Sequence, residues 1–251
     1  MVTLSVIIIT KNEEDNIWRC LESVKWANEL IVVDSFSTDK TIEIAKQYTD
    51  KIYLNDNTKC LNINKNLGME KATGEWILIM DADEIVPPEL TIEIKEILKR
   101  NTKAFDGYLV MRKNMFLGKW MKHGGWWEYA QNIELVRKGR GYFPPGLHDA
   151  LKVPSGKVGR LNNPIIHHNI DADTSEWIDK MNFYTNLETE EMKEAGTKFS
   201  MIRTMILPFV VFFISYIWKS GYRDGFHGLV AATFAAFYVF IKNVKLWELQ
   251  R

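Results

Sequence analysis

The residues with the clearest chemical potential in this 251-residue chain are Asp81, Asp83 and Glu84, which follow the apolar run Ile77-Leu78-Ile79-Met80. Two carboxylates one residue apart repel each other unless a positive charge lies between them. A divalent cation that prefers oxygen ligands, Mn²⁺ or Mg²⁺, meets that demand. The competing reading is a helix N-terminus, because acidic residues favour a first turn and Pro87-Pro88 lead into a helical stretch from Glu89. Asp34 and Thr10 repeat the pattern. Each ends its own apolar run, Leu30-Ile31-Val32-Val33 and Leu4-Ser5-Val6-Ile7-Ile8-Ile9.

The elements that must position these groups are legible in the same stretch. Short, continuous, β-branched runs bounded by polar turns read as strands buried on both faces. They are expected at 4–9, 30–33, 51–54 and 77–80. Helical periodicity separates them: Ile17, Cys20, Leu21 and Val24, then 41–48, then 62–71. Strands and helices in alternation predict a parallel sheet with helices on both faces and ligands at the carboxyl ends of the strands. Thr10, Asp34 and the Asp81/Asp83 pair all fall at such ends. Thr10-Lys11-Asn12-Glu13 has no glycine, which disfavours a dinucleotide fingerprint and a P-loop.

Composition narrows the field. Formal net charge is zero, so no global basic field suggests nucleic acid. From Lys198 onward there are seven basic and two acidic residues, which makes the tail +5 and the remainder −5. The two cysteines, Cys20 and Cys60, form no metal or disulfide pattern, which points to a reducing cytoplasm. Met1-Val2-Thr3 runs into an apolar strand without a basic leader, so no signal peptide is expected.

Four ordered blocks carry a resemblance. They are Ser5 to Glu14, Ile31 to Thr41 (IVVDSFSTDKT), Asn64-Lys65-Asn66 with Ala72 to Trp76, and Asp81-Ala82-Asp83-Glu84. Together they resemble family 2 glycosyltransferases of the GT-A fold, nearest the branch of bacterial lipopolysaccharide core β-glucosyltransferases. The resemblance implies an α/β, Rossmann-like, mostly parallel sheet flanked by helices. It implies an inverting enzyme that moves a hexose from a nucleotide sugar, a UDP-sugar by preference, with Mn²⁺ or Mg²⁺. On this reading Thr10, Glu13, Asp34, Lys65 and Asp81 bind the donor. Asp34 accepts from the nucleobase, and Lys65 is a point charge near the diphosphate. Asp83 is the metal ligand, and His167 completes its shell unless it is simply core. Asp39 lines the same turn or caps the helix near Thr41. Glu84 is expected to cap the Pro87-Pro88 helix.

The acceptor half is expected at 101–197, after a donor half at 1–100. Gly125, Trp126, Trp127 and Glu128 lie in an aromatic, glycine-rich stretch that reads either as a core hairpin or as a sugar-stacking shelf. Asp149 is expected to be the general base for the acceptor hydroxyl, with His148 and Glu128 as alternatives. The pattern departs from relatives at Glu134, where they often carry arginine, and at Asp149, where they often carry glutamate. Residues 198–251 hold two apolar blocks, Met205–Trp218 and Phe226–Ile241, joined by a polar, glycine-containing turn. At helical rise the blocks span about 21 and about 24 Å, short of the ~30 Å hydrocarbon core. They therefore read as a hairpin that lies in the membrane face or mediates oligomerisation. The whole describes a cytoplasmic enzyme, peripheral on the inner face of the cell membrane, acting on a lipopolysaccharide core or lipid-linked glycan. A nucleotidyltransferase and a non-catalytic scaffold of the same fold are the other readings.

Overall fold

The computed structural model describes residues 2–56, 61–126, 131–144, 149–170 and 174–251. The N-terminal part alternates as expected: β1 (Leu4–Thr10), α1 (Ile17–Val24), β2 (Glu29–Asp34), α2 (Thr41–Ala45), β3 (Ile52–Leu54), α3 (Leu61–Lys71) and β4 (Trp76–Asp81). Next come β5 (Glu84–Ile85), α4 (Pro88–Arg100), β6 (Gly107–Phe116), β7 (Lys119–Trp120), β8 (Gln131–Arg137), β9 (Val158–Arg160) and β10 (Ile165–Ile170). The C-terminal helices are α5 (Thr174–Glu194), α6 (Met201–Phe213) and α7 (Phe226–Gln250). A π-helical turn (Ile214–Trp218) and a 3-10 turn (Gly221–Asp224) join the last two.

The strand order is β3-β2-β1-β4-β8-β6-β10-β5, with β7 and β9 both against β6. Its first four strands are parallel, and β8 then pairs antiparallel with both β4 and β6. β1, β2 and most of β4 are buried at every position, because alternate side chains feed cores on opposite faces. Val6, Ile8 and Val32 meet the α1 residues Ile17 and Leu21 and the α4 residues Leu90 and Ile94 on one face. Ile7, Ile9, Ile31 and Val33 join Phe143 and Leu151 on the other. Gly68 of α3 is required by close approach to β1, since a Cβ there would stand 2.3 Å from Ile7 Cγ2.

The chain forms two compact units that are discontinuous in sequence: Met1–Lys113 with Gln131–His167, and Asn114–Ala130 with His168–Arg251. Residues 114–126 thus belong to the same unit as the C-terminal helices. In the second unit Phe116, Met121 and Ala231 form a small core with Trp126, Trp177 and Phe234 against it. Met201–Trp218 and Phe226–Gln250 are long and apolar enough to cross a membrane by length and composition. α7 continues nine residues past the apolar block read from sequence, and at helical rise its 25 residues span about 37 Å. Much of the first segment's apolar surface faces outward: Met201, Ile202, Phe209 and Trp218 are all more than 70% exposed.

Candidate active site

The strand register brings the expected carboxyl-end residues to one rim. Thr10 is paired with Asp34 across β1 and β2, and Ile9 with Asp81 across β1 and β4. Thr10 is nearly buried and its Oγ1 has no hydrogen-bond partner. A buried orphan hydroxyl costs free energy unless a ligand or water meets it. Asp34 is fully buried, with Oδ1 accepting from Ser37 N at 2.8 Å and Oδ2 from Ser37 Oγ at 2.5 Å. The two rim loops are tied together. Asn12 N donates to Ser37 Oγ and Thr38 N donates to Asn12 Oδ1, both at 2.8 Å. Asn12 (φ 52°) and Phe36 (φ 57°) both adopt the left-handed conformation, a strain concentrated where these loops meet.

Glu13 and Asp39 build this rim. Glu13 Oε2 accepts from Asn16 Nδ2 at 2.8 Å, and its backbone N donates to Thr41 Oγ1. Asp39 accepts from Thr41 N at 3.0 Å and Glu14 N at 3.1 Å, so it tethers the start of α2 to the first loop. Burial alone would raise the Asp39 pKa, but the hydrogen bonds from Thr41 and Glu14 outweigh it and the pKa is lowered.

Asp81 faces cations already present in the chain. Lys65 Nζ stands 3.1 Å from Oδ1 and Arg112 Nη2 3.2 Å from Oδ2. Arg112 also lies 3.1 Å from Glu134 Oε1 and 2.9 Å from Glu84 Oε1, the latter contact an ion pair without hydrogen-bond angles. Two buried carboxylates, Glu84 and Glu134, and the partly exposed Asp81 thus share two cations. Burial would raise the Asp81 carboxyl, but Lys65 and then Arg112 hold it well below the usual range. Burial, opposed by Arg112 and reinforced by Asp81, pushes Glu84 up to about 8. Burial raises Glu134 as well, against the pull of Arg112 and Lys65. Burial would lower the Lys65 ammonium, but Asp81 outweighs it and its pKa is raised.

Glu84 does not cap the following helix as the sequence suggested. Its Oε2 accepts from Asp81 N at 2.9 Å, and α4 begins behind Pro87 with no side-chain cap. Glu84 lies on β5, paired with His167 of β10, and that pairing explains the metal candidates. It brings His167 Nε2 to 3.5 Å from Asp83 Oδ2, and both side chains are largely buried. Burial would lower the His167 pKa, but Asp83 outweighs it and raises it. One carboxylate and one imidazole are a donor set that suits Mn²⁺ or Mg²⁺ when phosphate oxygens complete the shell. Among the described residues no group of three His, Cys, Asp or Glu side chains is placed to hold an ion.

Asp149 is exposed, and α3 anchors its backbone. Asn62 Nδ2 donates to the carbonyls of Pro144 and Asp149, each at 3.0 Å. One turn on, Asn66 exchanges two hydrogen bonds with Phe143, of 2.8 and 3.0 Å. His148, Trp127 and Glu128 lie outside the described residues. Gly125 and Trp126 belong to the second unit, where the Trp126 ring packs 5.4 Å from Phe116 and its carbonyl accepts from Asn114.

Arg112 and Asn62 were missed in the sequence, and Asn66 was named there only within the Asn64-Lys65-Asn66 block, without a role. The only signal for Arg112 was an excess of carboxylates without a counter-charge. For the asparagines it was their i, i+4 spacing, which puts both on one helix face.

Residues 5–151 match the family model described as "Glycosyl transferase family 2". The lipopolysaccharide core biosynthesis glycosyltransferase LpsC of Rhizobium meliloti (strain 1021) is 26% identical over 98% of this chain and 92% of its own length. An uncharacterized glycosyltransferase of Rickettsia typhi (strain ATCC VR-144 / Wilmington) is 30% identical over 99% and 88%. In fold the chain is similar to S. aureus TarS 1-349 in complex with UDP-GlcNAc (TM-score 0.51, 16% identity, 98% of this chain and 89% of that one). It is similar also to glucosyl-3-phosphoglycerate synthase of Mycobacterium tuberculosis, crystallised with Mn²⁺, UDP and glucosyl-3-phosphoglycerate (TM-score 0.51, 16% identity, 78% and 81%).

Proposed function

We propose, because the chain belongs to glycosyl transferase family 2, that it transfers a hexose with inversion from a UDP-sugar to a surface-glycan precursor at the membrane. It is a glycosyltransferase with the GT-A fold. The observation that carries the finer reading is the Asp83–His167 pair, 3.5 Å apart, behind a rim that holds Thr10, Asp34 and Asp81 in register. Relatives support each part. LpsC is a lipopolysaccharide core enzyme, TarS was crystallised with UDP-GlcNAc, and the mycobacterial synthase with Mn²⁺ and UDP.

The chemistry follows from the groups in place. Asp34 and the orphan hydroxyl of Thr10 offer acceptor and donor atoms to a nucleoside at the rim. Asp83 and His167 would hold Mn²⁺ or Mg²⁺, which when bound neutralises charge on the diphosphate leaving group. Asp81 holds Lys65 and Arg112, so its role in donor binding is to position these cations. On the acceptor side Asp149 takes the proton of the attacking hydroxyl as the new glycosidic bond forms and the nucleoside diphosphate departs from the opposite face. The length and composition of α6 and α7 support a place for the enzyme on the inner face of the cell membrane, where a lipopolysaccharide core or lipid-linked precursor is available.

The test is incubation of the full chain with UDP- and GDP-sugars and Mn²⁺, reading release of nucleoside diphosphate. Donor-specific release that is lost in Asp83→Ala supports the proposal. Absence of release with every donor, or full activity in Asp83→Ala, overturns it.

A further inference from the structure

The second unit contains a cleft of about 440 Å³ among α6, α7 and the Asn114–Trp126 stretch. This volume lies within the ~300–1,000 Å³ range of small-molecule sites. Its origin is readable in α7, where Ala231, Ala232 and Ala235 line the cleft at helical spacing and leave unfilled the space that larger side chains would occupy. Aromatic walls, Trp126, Trp177 and Phe234 among them, line the remainder.

The cleft is preformed. Asp224 Oδ2 accepts from Lys122 N at 3.1 Å and His123 N at 2.8 Å, and Gly124 N donates to Lys219 O at 2.8 Å. These bonds staple the lining loop to the turn between α6 and α7. Gly228 has no alternative here, since a Cβ would meet Gly221 O at 1.9 Å.

We infer that this cleft holds one hydrocarbon chain of an anionic membrane phospholipid, with its headgroup against Lys219. A sugar would need many polar partners, but the lining is mostly apolar and two of its polar side chains are already engaged. Asn114 Nδ2 donates to Trp126 O at 2.7 Å, and Tyr238 OH donates to Glu188 Oε1 at 2.6 Å. An apolar occupant would gain dispersion contacts along this mostly apolar lining. The helices that form it carry outward apolar faces of membrane-crossing length, so hydrocarbon is the solvent at hand. Charge adds the headgroup. The Lys219 side chain lies at the Gly125 edge of the cleft, where a Cβ on Gly125 would stand 3.0 Å from its Nζ. The inference rests on the proposed entry of α6 and α7 into the bilayer.

The experiment is native mass spectrometry of the detergent-solubilised full chain, titrated with dioleoyl phosphatidylglycerol and dioleoyl phosphatidylcholine. Flotation with vesicles of the same lipids is measured in parallel. One phosphatidylglycerol is expected to remain bound to the wild type. Ala235→Phe, which fills the cleft, is expected to cut retention at least about tenfold by steric exclusion while flotation persists. Ala235→Ser should retain the lipid, and Lys219→Gln should lose the preference for phosphatidylglycerol. Undiminished retention by Ala235→Phe, or an unchanged preference in Lys219→Gln, overturns the inference. A lipid-free dimer overturns it in favour of a second copy of the chain. A wild type that binds lipid from micelles yet fails to float upholds the cleft and overturns the membrane reading instead.

Discussion

Asp83 and Asp149 differ in what they ask of the fold, and their substitutions separate on that basis. Asp83 is largely buried beside His167, whereas Asp149 projects from a loop held through its backbone. Asp149→Asn keeps that backbone bond and removes only the base. It is expected to lower kcat about 10²–10⁴-fold, the usual contribution of a general base, while KM for the donor stays near wild type. Steady-state kinetics with varied donor checks this. Arg112 is the opposite case. It neutralises Asp81, Glu84 and Glu134 in a buried setting. Arg112→Leu leaves carboxylates buried without their cation, which costs about 3–5 kcal/mol in comparable pairs. Urea unfolding should register that loss. A stability equal to wild type would mean the cluster is solvated.

α3 acts as a brace between the sheet and the loop that carries Asp149. Its inner side is set by Gly68 against Ile7, and its polar side by Asn62 and Asn66 against Pro144, Phe143 and Asp149. Gly68→Ala forces overpacking at the helix–strand contact and is expected to cost about 1–3 kcal/mol. Ile7→Ala removes Cγ2, the atom that the new methyl meets, so it should cost less in the Gly68→Ala background than in the wild type, and the double-mutant cycle by chemical denaturation should show coupling. At the other end of the sheet Glu29 ties β2 to its neighbours, accepting from Ser5, Lys51 and Thr73. Burial would raise its carboxyl, but the bonds from Lys51, Ser5 and Thr73 lower it to about 2. A folded pKa below the unfolded value of 4.5 means the stabilisation is complete above pH 4.5 and disappears as pH falls toward 2. Glu29→Gln should therefore be less stable than wild type near neutrality, and the gap should close across that window in urea titrations at stepped pH.

At the scale of the molecule, the two units divide the labour. The first carries the rim residues and most of the family match, and the second carries residues 114–130 of that match together with the apolar helices. Phe209 and Phe213 are exposed on α6, so Phe209→Lys with Phe213→Lys removes apolar area without emptying a core. Vesicle flotation of that variant is expected to fall sharply while nucleotide-sugar hydrolysis in detergent stays near wild type. Wild-type flotation in the variant would mean that α6 does not enter the bilayer.

The alternating strands and helices of the first ninety residues were legible because their signals are local. Buried parallel strands are short unbroken apolar runs, their ends are marked by polar residues, and Thr10, Asp34 and Asp81 needed only the strand register to converge. Asp83 was named from its motif, but its neighbour His167 stands 84 residues away in sequence, and only the β5–β10 pairing puts them side by side. Tertiary structure alone decided how charge is shared. Nothing in Asp81-Ala82-Asp83-Glu84 tells that Asp81 answers Lys65 and Arg112, or that Glu84 is enclosed with Arg112 instead of capping α4. It also placed Trp126 beside Phe116 in the second unit and opened a cleft along the small residues of α7. The physical reason is common to these cases. Burial and Coulomb coupling depend on distance in space, while sequence pattern records only distance along the chain.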